Sequence, residues 1–148
     1  MPGVPLEKGL GSGEWRFGEL WRDLPVLALA YVGDAVYELS ARLAILESGV
    51  RRPSELHRRT VGQVRALTQA RMHRLLEGSL TEEEKDISRR GRNAKGRDPG
   101  AGVDVLAYRV STGLEALLGY LYLTGRGERA EEIQTLGRKL LAKEDEHE

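Results

Sequence analysis

Apolar residues recur at helical spacing along most of the chain, and no segment keeps the strict alternation that is typical of a strand. A long apolar stretch from Leu24 to about Leu46 follows Asp23 and ends before Gly49. Asp23 is a suitable N-cap, and Pro25 suits the first turn of a helix. This pattern predicts a long first helix that begins near Asp23 and an all-α fold of five to seven helices.

The later helices are marked by capping residues at their starts and by glycines at their ends. Thr81 and Glu84 have the spacing of a capping box, and Asp104 precedes the second long apolar stretch. The further helices predicted in this way cover about residues 54–60, 63–77, 104–123 and 128–142. One more helix of about two turns is predicted to begin at Thr81. We expect a flexible tail over residues 1–22, one domain over 23–142 and an acidic tail over 143–148.

The composition favours a folded protein without redox-active thiols. Of the 148 residues 40% are hydrophobic, which is enough to build a core, and cysteine is absent. The absence of cysteine excludes disulfides, thiolate catalysis and cysteine-bound metals. The first residues lack the layout of a signal peptide, and no apolar run approaches the ~20 residues that span a bilayer. We therefore expect a cytoplasmic protein with no membrane partner.

Charge is unevenly distributed along the chain although the 23 basic and 23 acidic side chains cancel. Residues 51–97 carry 13 basic and 6 acidic side chains, a net charge of +7, whereas residues 1–50 carry 4 and 7, a net charge of −3. Of the 23 cations, 18 are arginine, whose planar guanidinium pairs well with phosphate. The neutral total therefore does not exclude a nucleic-acid partner.

Two carboxylates interrupt the two most apolar helices. Asp34 and Glu115 lie in stretches that are hydrophobic on almost every side, where a lone charge is costly unless it is paired, protonated or bound to a cation. Gly33 and Gly113 beside them would let two helix backbones approach closely. Two acids at such a crossing would form a divalent-metal site, and Mg²⁺ suits one or two carboxylates plus water.

Other interpretations of these acids remain open at this point. Asp34 could meet an arginine, and Glu115 could pair with Arg109 or lie in a wet groove. Glu38 follows Asp34 by one helical turn and could extend the site. We favour a surface salt bridge from Glu38 to Arg42, because the two have the favourable order at i,i+4 spacing.

The segment RRGRNAKGR (89–97) is the strongest candidate for binding a nucleic acid, and a basic loop that is simply solvated is the alternative that stays open. Its two glycines allow a close backbone approach, and its polar side chains can donate to phosphates and base edges. The candidate nucleic-acid-binding residues are Arg89, Arg90, Arg92, Asn93, Lys95 and Arg97. Four further arginines could extend the positive surface, namely Arg51, Arg52, Arg58 and Arg59.

The histidines are assigned surface or partner-packing roles, and the tyrosines are assigned to the core. His57 and His73 have no third ligand at a metal-binding spacing. All five tyrosines fall within the two apolar helices at core-like positions, which argues against a base-stacking platform: Tyr31, Tyr37, Tyr108, Tyr120 and Tyr122.

Three segments together resemble a known enzyme family. LALAYVGDAVYEL (27–39) resembles the signature helix of the ribonuclease III catalytic domain, and STGLEALLGYLYL (111–123) resembles its second acidic helix. With EEEKDISRRGRNAK (82–95), the chain resembles the Mini-ribonuclease III branch, which has the catalytic domain without a double-stranded-RNA-binding domain. The resemblance covers about residues 23–141.

The resemblance implies an all-α endonuclease domain that acts as a homodimer. It implies hydrolysis of double-stranded RNA with Mg²⁺, for which Mn²⁺ could substitute, and maturation of the ends of large-subunit (23S) ribosomal RNA precursor. Asp34 and Glu115 are carried over from the family as metal-binding catalytic residues. A ribosomal protein could help to select the substrate.

The chain departs from full-length ribonuclease III at two acidic positions, where it has Ala30 and Thr112. Both departures match the Mini-ribonuclease III pattern, and the hydroxyl of Ser111 or Thr112 could complete the metal surroundings. A match of a further family acid to Glu55 is too loose to carry over. The alternatives are an inert RNA-binding scaffold in ribosome assembly, which the thinner acid set keeps open, and a helical adaptor, which leaves the basic segment unexplained.

Overall fold

Six α-helices and two short 3₁₀ turns make up the secondary structure of residues 20–95 and 99–147, the part of the chain that the computed structural model describes. No strand occurs within these residues. The helices are α1 (Val26–Glu47), α2 (Pro53–Val64), α3 (Ala66–Leu76), α4 (Glu82–Asn93), α5 (Val105–Leu123) and α6 (Gly127–Glu146). The predicted all-α class is therefore confirmed.

Helix starts follow the predicted caps at α4 and α5 but not at α1. The Thr81 hydroxyl accepts from the Glu84 backbone N–H and the Glu84 carboxylate accepts from the Thr81 N–H, which completes the capping box. Asp104 caps α5 by accepting from the Ala107 N–H at 2.9 Å. The prediction for Asp23 was wrong: it ends a 3₁₀ turn, and Pro25 is the N-cap of α1.

Helix α6 is longer than predicted because its last turn is held by helix α3. Its sequence-predicted end was residue 142, yet the helix continues to Glu146. Arg71 donates to Glu144 at 2.9 Å and to Asp145 at 2.8 Å, and Arg74 donates to Glu144 at 3.0 Å. Long-range ion pairs therefore order residues whose acidic composition had suggested a tail.

Helix α5 lies at the centre of the fold. Of its 19 residues 12 are buried, and helices α1, α3, α4 and α6 all pack on it. Its apolar character therefore reflects burial on several sides within the protein. No helix in the described part of the chain is both long and apolar enough to cross a membrane.

Glycines set the distance between α5 and two of its neighbours. A Cβ atom at Gly33 would overlap the backbone carbonyl oxygen of Glu115, and one at Gly119 would overlap that of Leu29. On the other side, a Cβ atom at Gly113 would lie 2.5 Å from the backbone oxygen of Ser88 in α4. These contacts require glycine, so α1 and α4 pack backbone to backbone against α5.

Candidate active site at the crossing of helices α1 and α5

The two predicted acids lie at or next to the closest approach of α1 and α5 along their helices. Gly33, whose backbone lies against the carbonyl of Glu115, is the residue immediately before Asp34. Asp34 is therefore the residue that follows the crossing point on α1, and Glu115 supplies the backbone carbonyl at the crossing point on α5. Among the described residues, no cluster of three or more histidine, aspartate or glutamate side chains could hold a metal ion.

Asp34 is exposed and Glu115 is half-buried, which corrects the expectation of two acids enclosed in the core. The reason is that α1 buries only one of its faces in this chain, while Asp34 lies on the other face. Within the described ranges, no arginine or lysine forms an ion pair with Asp34. Its carboxylate is therefore open to a cation or to solvent.

Tyr37 links the acid site to helix α2. Its side chain is buried, and its hydroxyl donates to the Gln63 backbone carbonyl at 2.8 Å. Burial raises the pKa of the Tyr37 hydroxyl to about 12; the charge of Arg138 opposes this rise, and the charge of Glu115 adds to it. Tyr37 thus remains neutral at physiological pH beside the crossing.

The hydroxyls of Ser111 and Thr112 are engaged within their own helix. Both residues are buried, and both hydroxyls donate to the Tyr108 backbone carbonyl, at 2.7 Å from Ser111 and 3.0 Å from Thr112. Direct participation of these hydroxyls in a metal site stays a prediction that the observed contacts do not favour.

Glu38 and Glu55, the two other acids considered for the site, form surface ion pairs. Glu38 pairs with Arg42 at 3.1 Å, as the i,i+4 spacing had favoured. Glu55 accepts from Arg58 and Arg59, and these hydrogen bonds hold the pKa of its carboxyl below its usual value. Arg58 and Arg59 are therefore partly neutralised, and the expectation that they extend the positive surface is weakened.

The predicted RNA-binding segment forms the end of α4 and the residues after it. Arg90, Arg92, Asn93 and Lys95 are all exposed. Arg89 is also exposed, but it pairs with Asp86 one turn earlier at 2.5 Å. The ion pair with Asp86 reduces what Arg89 adds to the positive surface.

Two sequence assignments remain, Arg97 and His73. Arg97 lies outside the described residues. His73 of α3 packs against α4, where its Nε2 atom lies 2.5 Å from the Ser88 hydroxyl oxygen. Burial is the main cause of a lowered pKa for His73, which favours the neutral ring; Glu77 opposes the shift and Arg92 adds to it.

An apolar groove that sequence reasoning missed lies along the outer face of α1. The exposed side chains Tyr31, Leu39 and Leu43 recur on this face, and Tyr31 is 81% exposed. With residues of α6 they line a groove of about 870 Å³, and Asp34 lies on its wall. The four-residue spacing of Tyr31, Ala35, Leu39 and Leu43 could have indicated a helix-packing stripe.

The tyrosines divide between the core and the surface. Tyr37 and Tyr120 are buried, as predicted, and the Tyr120 hydroxyl donates to Glu83. Tyr108 and Tyr122 are only half-buried, and Tyr31 is exposed. The assignment of all five to the core was therefore wrong, because three of them face a groove or a cavity.

The observed crossing falls inside a region that matches a known family. The family model described as the Ribonuclease III domain matches residues 27–126. The chain belongs to the ribonuclease III family. Relatives named Mini-ribonuclease 3 include one from Symbiobacterium thermophilum, 49% identical over 110 residues, which are 74% of this chain and 85% of the relative. Another, from Desulfitobacterium hafniense, is 43% identical over 138 residues, 85% of this chain and 87% of the relative.

A solved structure has the same fold. The crystal structure of a protein from Fusobacterium nucleatum aligns with a TM-score of 0.70 and 32% sequence identity, covering 80% of this chain and 95% of that one. The similarity to Mini-ribonuclease III is thus confirmed, and the chain is an endoribonuclease of the ribonuclease III family. The matched region contains both acids and the basic segment, whereas α6 lies beyond its end.

Proposed function

We propose that this ribonuclease III family member is a Mg²⁺-dependent endoribonuclease that cleaves double-stranded RNA. The observation that carries the proposal is the α1–α5 crossing, where the backbone of Gly33 lies against the backbone of Glu115 and Asp34 is the next residue along α1. Such a site supports hydrolysis of a phosphodiester, since its acids can hold a cation next to a bound phosphate. The proposed natural substrate is the ends of large-subunit ribosomal RNA precursor, with a ribosomal protein as a helper.

The donor set fits Mg²⁺, and Mn²⁺ as a substitute. Asp34 and Glu115 offer carboxylate oxygens, which these hard cations prefer, and Mg²⁺ keeps several waters when only one or two carboxylates bind it. The exposure of Asp34 leaves room for those waters and for a phosphate. When bound, the ion supplies positive charge that stabilises the phosphate group during attack by water.

The end of α4 supplies the contacts that hold the RNA. Arg90, Arg92 and Lys95 are exposed and form no ion pair with any carboxylate in the described part of the chain, so their charges are available to phosphates. A-form RNA is recognised mainly through its phosphates, its 2′-hydroxyls and its shape. We therefore expect binding that weakens strongly with salt.

The apolar groove is proposed as the contact surface for a second copy of the chain. The stripe of Tyr31, Leu39 and Leu43 has the spacing of residues that interdigitate between packed helices. A two-fold axis would pack this stripe on the same stripe of the second copy, which gives a symmetric dimer. Because Asp34 lies on the groove wall, dimerisation would place an acid site at each edge of the interface.

The variant Leu39→Glu is expected to convert a dimer into a monomer. A charge at this position would be buried without a partner in the interface, and that is strongly unfavourable. Analytical ultracentrifugation of the wild type should give about twice the chain mass of 16.4 kDa, and the variant should give a value near 16.4 kDa.

Leu67→Glu is the matched control for this test, because Leu67 is a similarly exposed leucine on α3 that does not line the groove. It should leave the dimer intact. A wild type that remains at 16.4 kDa at micromolar concentration would contradict the proposed interface.

Cleavage of a long RNA duplex with and without divalent cation tests the proposed function directly. We expect shorter products with 3′-hydroxyl ends in Mg²⁺ or Mn²⁺, no products in EDTA, and cutting at a defined position in the terminal stem of a large-subunit ribosomal RNA precursor. Duplex binding without cleavage in either metal would favour the inert scaffold. Cleavage that persists in EDTA would contradict the assigned cofactor.

A further inference from the structure

A separate cavity of about 280 Å³ lies between the end of α4 and the first turns of α5. Its lining combines cations, an amide and apolar or aromatic side chains: Arg92, Lys95, Arg109, Asn93, Tyr108 and Leu27. It shares no lining residue with the apolar groove. Thr112, which also lines it, precedes Glu115 by one helical turn, so the cavity lies next to the acid site.

The positive side chains of this cavity have no acidic partner among the residues that the structure describes. Arg92, Lys95 and Arg109 form no ion pair with a carboxylate in residues 20–95 and 99–147. Four arginines on other surfaces do have acidic partners, since Arg129 pairs with Glu84 at 2.8 Å and Arg138, Arg71 and Arg126 also form ion pairs. Three unpaired cations on one concave surface favour an anionic ligand.

The uncharged part of the lining indicates more than a bare phosphate. Tyr108 is half-buried, and its hydroxyl makes no hydrogen bond with any residue that the structure describes. Leu27 and Val105 add apolar surface. A phosphate alone makes no favourable contact with apolar or aromatic surface. A nucleotide does, because it joins a phosphate to a flat base that stacks on aromatic rings.

The size of the cavity limits the ligand to one nucleotide unit. Pockets for small molecules generally span about 300–1,000 Å³, and this cavity lies just below that range. A regular duplex keeps its bases stacked inside the helix, so only an unpaired or flipped nucleotide can offer both its phosphate and its base. The bound nucleotide must therefore be unstacked from its neighbours in the RNA.

From this arrangement we infer that the cavity binds one unstacked nucleotide of the RNA substrate, with its phosphate on Arg92, Lys95 and Arg109 and its base on Tyr108. The inference rests on the proposed function, because it assumes that RNA is bound beside the acid site. It adds a specificity: duplexes with an unpaired nucleotide near the cleavage position bind more tightly than perfect ones. Tyr108 and Arg109 are then binding residues that the sequence motifs did not assign.

Equilibrium binding in EDTA to two labelled duplexes tests this inference, one perfect and one with a single unpaired adenosine at its centre. The wild type should bind the second duplex about tenfold more tightly, within the range measured for stacking of one base on an aromatic ring. Tyr108→Leu should abolish this preference and leave the affinity for the perfect duplex within about twofold. Tyr108→Phe, which keeps the ring, should retain the preference.

The role of positive charge in the cavity is tested with Arg109→Gln. This variant should weaken binding of the duplex with the unpaired adenosine more than Lys139→Gln does. Lys139 is an exposed lysine on α6 and serves as the control for loss of one positive charge. Equal wild-type affinity for the two duplexes, or a preference that survives Tyr108→Leu, would overturn the inference while leaving the proposed function intact.

Adenosine monophosphate added as a competitor separates RNA from a free nucleotide. We expect no displacement of the RNA at submillimolar concentration, because one nucleotide lacks the neighbouring phosphates that the basic segment binds. Displacement at that concentration would show that the cavity takes free nucleotides and would overturn the assignment to RNA. Failure to bind either duplex would contradict the proposed function together with the inference.

Discussion

Asp34→Asn is expected to reduce cleavage of double-stranded RNA by more than about a hundredfold, because loss of residues that merely support a metal ligand already costs 10- to 100-fold. The amide keeps the size of the side chain but removes the negative charge that holds the cation. Rates are to be measured at saturating Mg²⁺ by gel analysis of end-labelled RNA. The affinity for the duplex in EDTA should not fall, since Asp34 carries no positive charge to the phosphates.

The fold should tolerate this substitution. Asp34 is exposed and forms no ion pair within the described residues, so its free energy of unfolding should stay within about 0.5 kcal/mol of the wild type. Glu38→Gln is the matched control, because Glu38 lies one turn further along the same helix and pairs with Arg42. It should cleave at nearly the wild-type rate. Cleavage by Asp34→Asn at the wild-type rate would disprove the site assignment.

Gly33→Ala is expected to give the largest loss of stability. Its methyl group would overlap the backbone carbonyl oxygen of Glu115, and a backbone atom cannot rotate away as a side chain can. Overpacking generally costs about 1–3 kcal/mol, and a clash between two central helices should reach about 3 kcal/mol or more. Urea unfolding of both proteins at one protein concentration measures the change, since dimerisation makes stability depend on concentration.

Gly62→Ala provides the comparison within the same molecule. Gly62 lies in α2, and a Cβ atom there would have no neighbour within 4 Å. Alanine is the better helix former, so this variant should gain up to about 1 kcal/mol. If Gly33→Ala proved as stable as the wild type, the backbone contact between α1 and α5 would not exist in solution.

Helix starts that depend on nearby residues were predictable from local sequence signals. Thr81 with Glu84, and Asp104 before α5, specified helix starts through hydrogen bonds across three residues, and the structure confirms both. The end of α6 could not be predicted in this way. Its last turn depends on Arg71 and Arg74 of α3, which are remote in sequence and make the acidic end part of a helix.

The chemistry of the candidate site was accessible from sequence for a similar reason. A carboxylate within a long apolar helix is anomalous wherever the helix packs, so residue type and local context are enough to select Asp34 and Glu115. The glycine beside Asp34 also indicated a close crossing. Which residue it meets is a property of the packing, and the structure shows that it is the backbone of Glu115.

The solvent exposure of individual side chains was the property predicted least well from the sequence. The apolar character of their helices predicts core positions for Asp34, Tyr31 and Tyr108, yet Asp34 and Tyr31 are exposed and Tyr108 is half-buried. Hydrophobic residues on a helix indicate that one of its faces will be buried. They do not indicate whether it is buried by the same chain or by a partner. The uncovered face of α1 is where a second copy is proposed to bind.

Residue type and short-range spacing were enough to predict the all-α class and the capped starts of α4 and α5. They also singled out the basic segment of residues 89–97 and the two candidate acids. Packing of the helices established which cations are neutralised, which tyrosines face a groove or a cavity, and that Asp34 is exposed. These properties depend on side chains and backbones that approach from distant parts of the chain. Their distances are fixed only when α1 and α4 pack on α5.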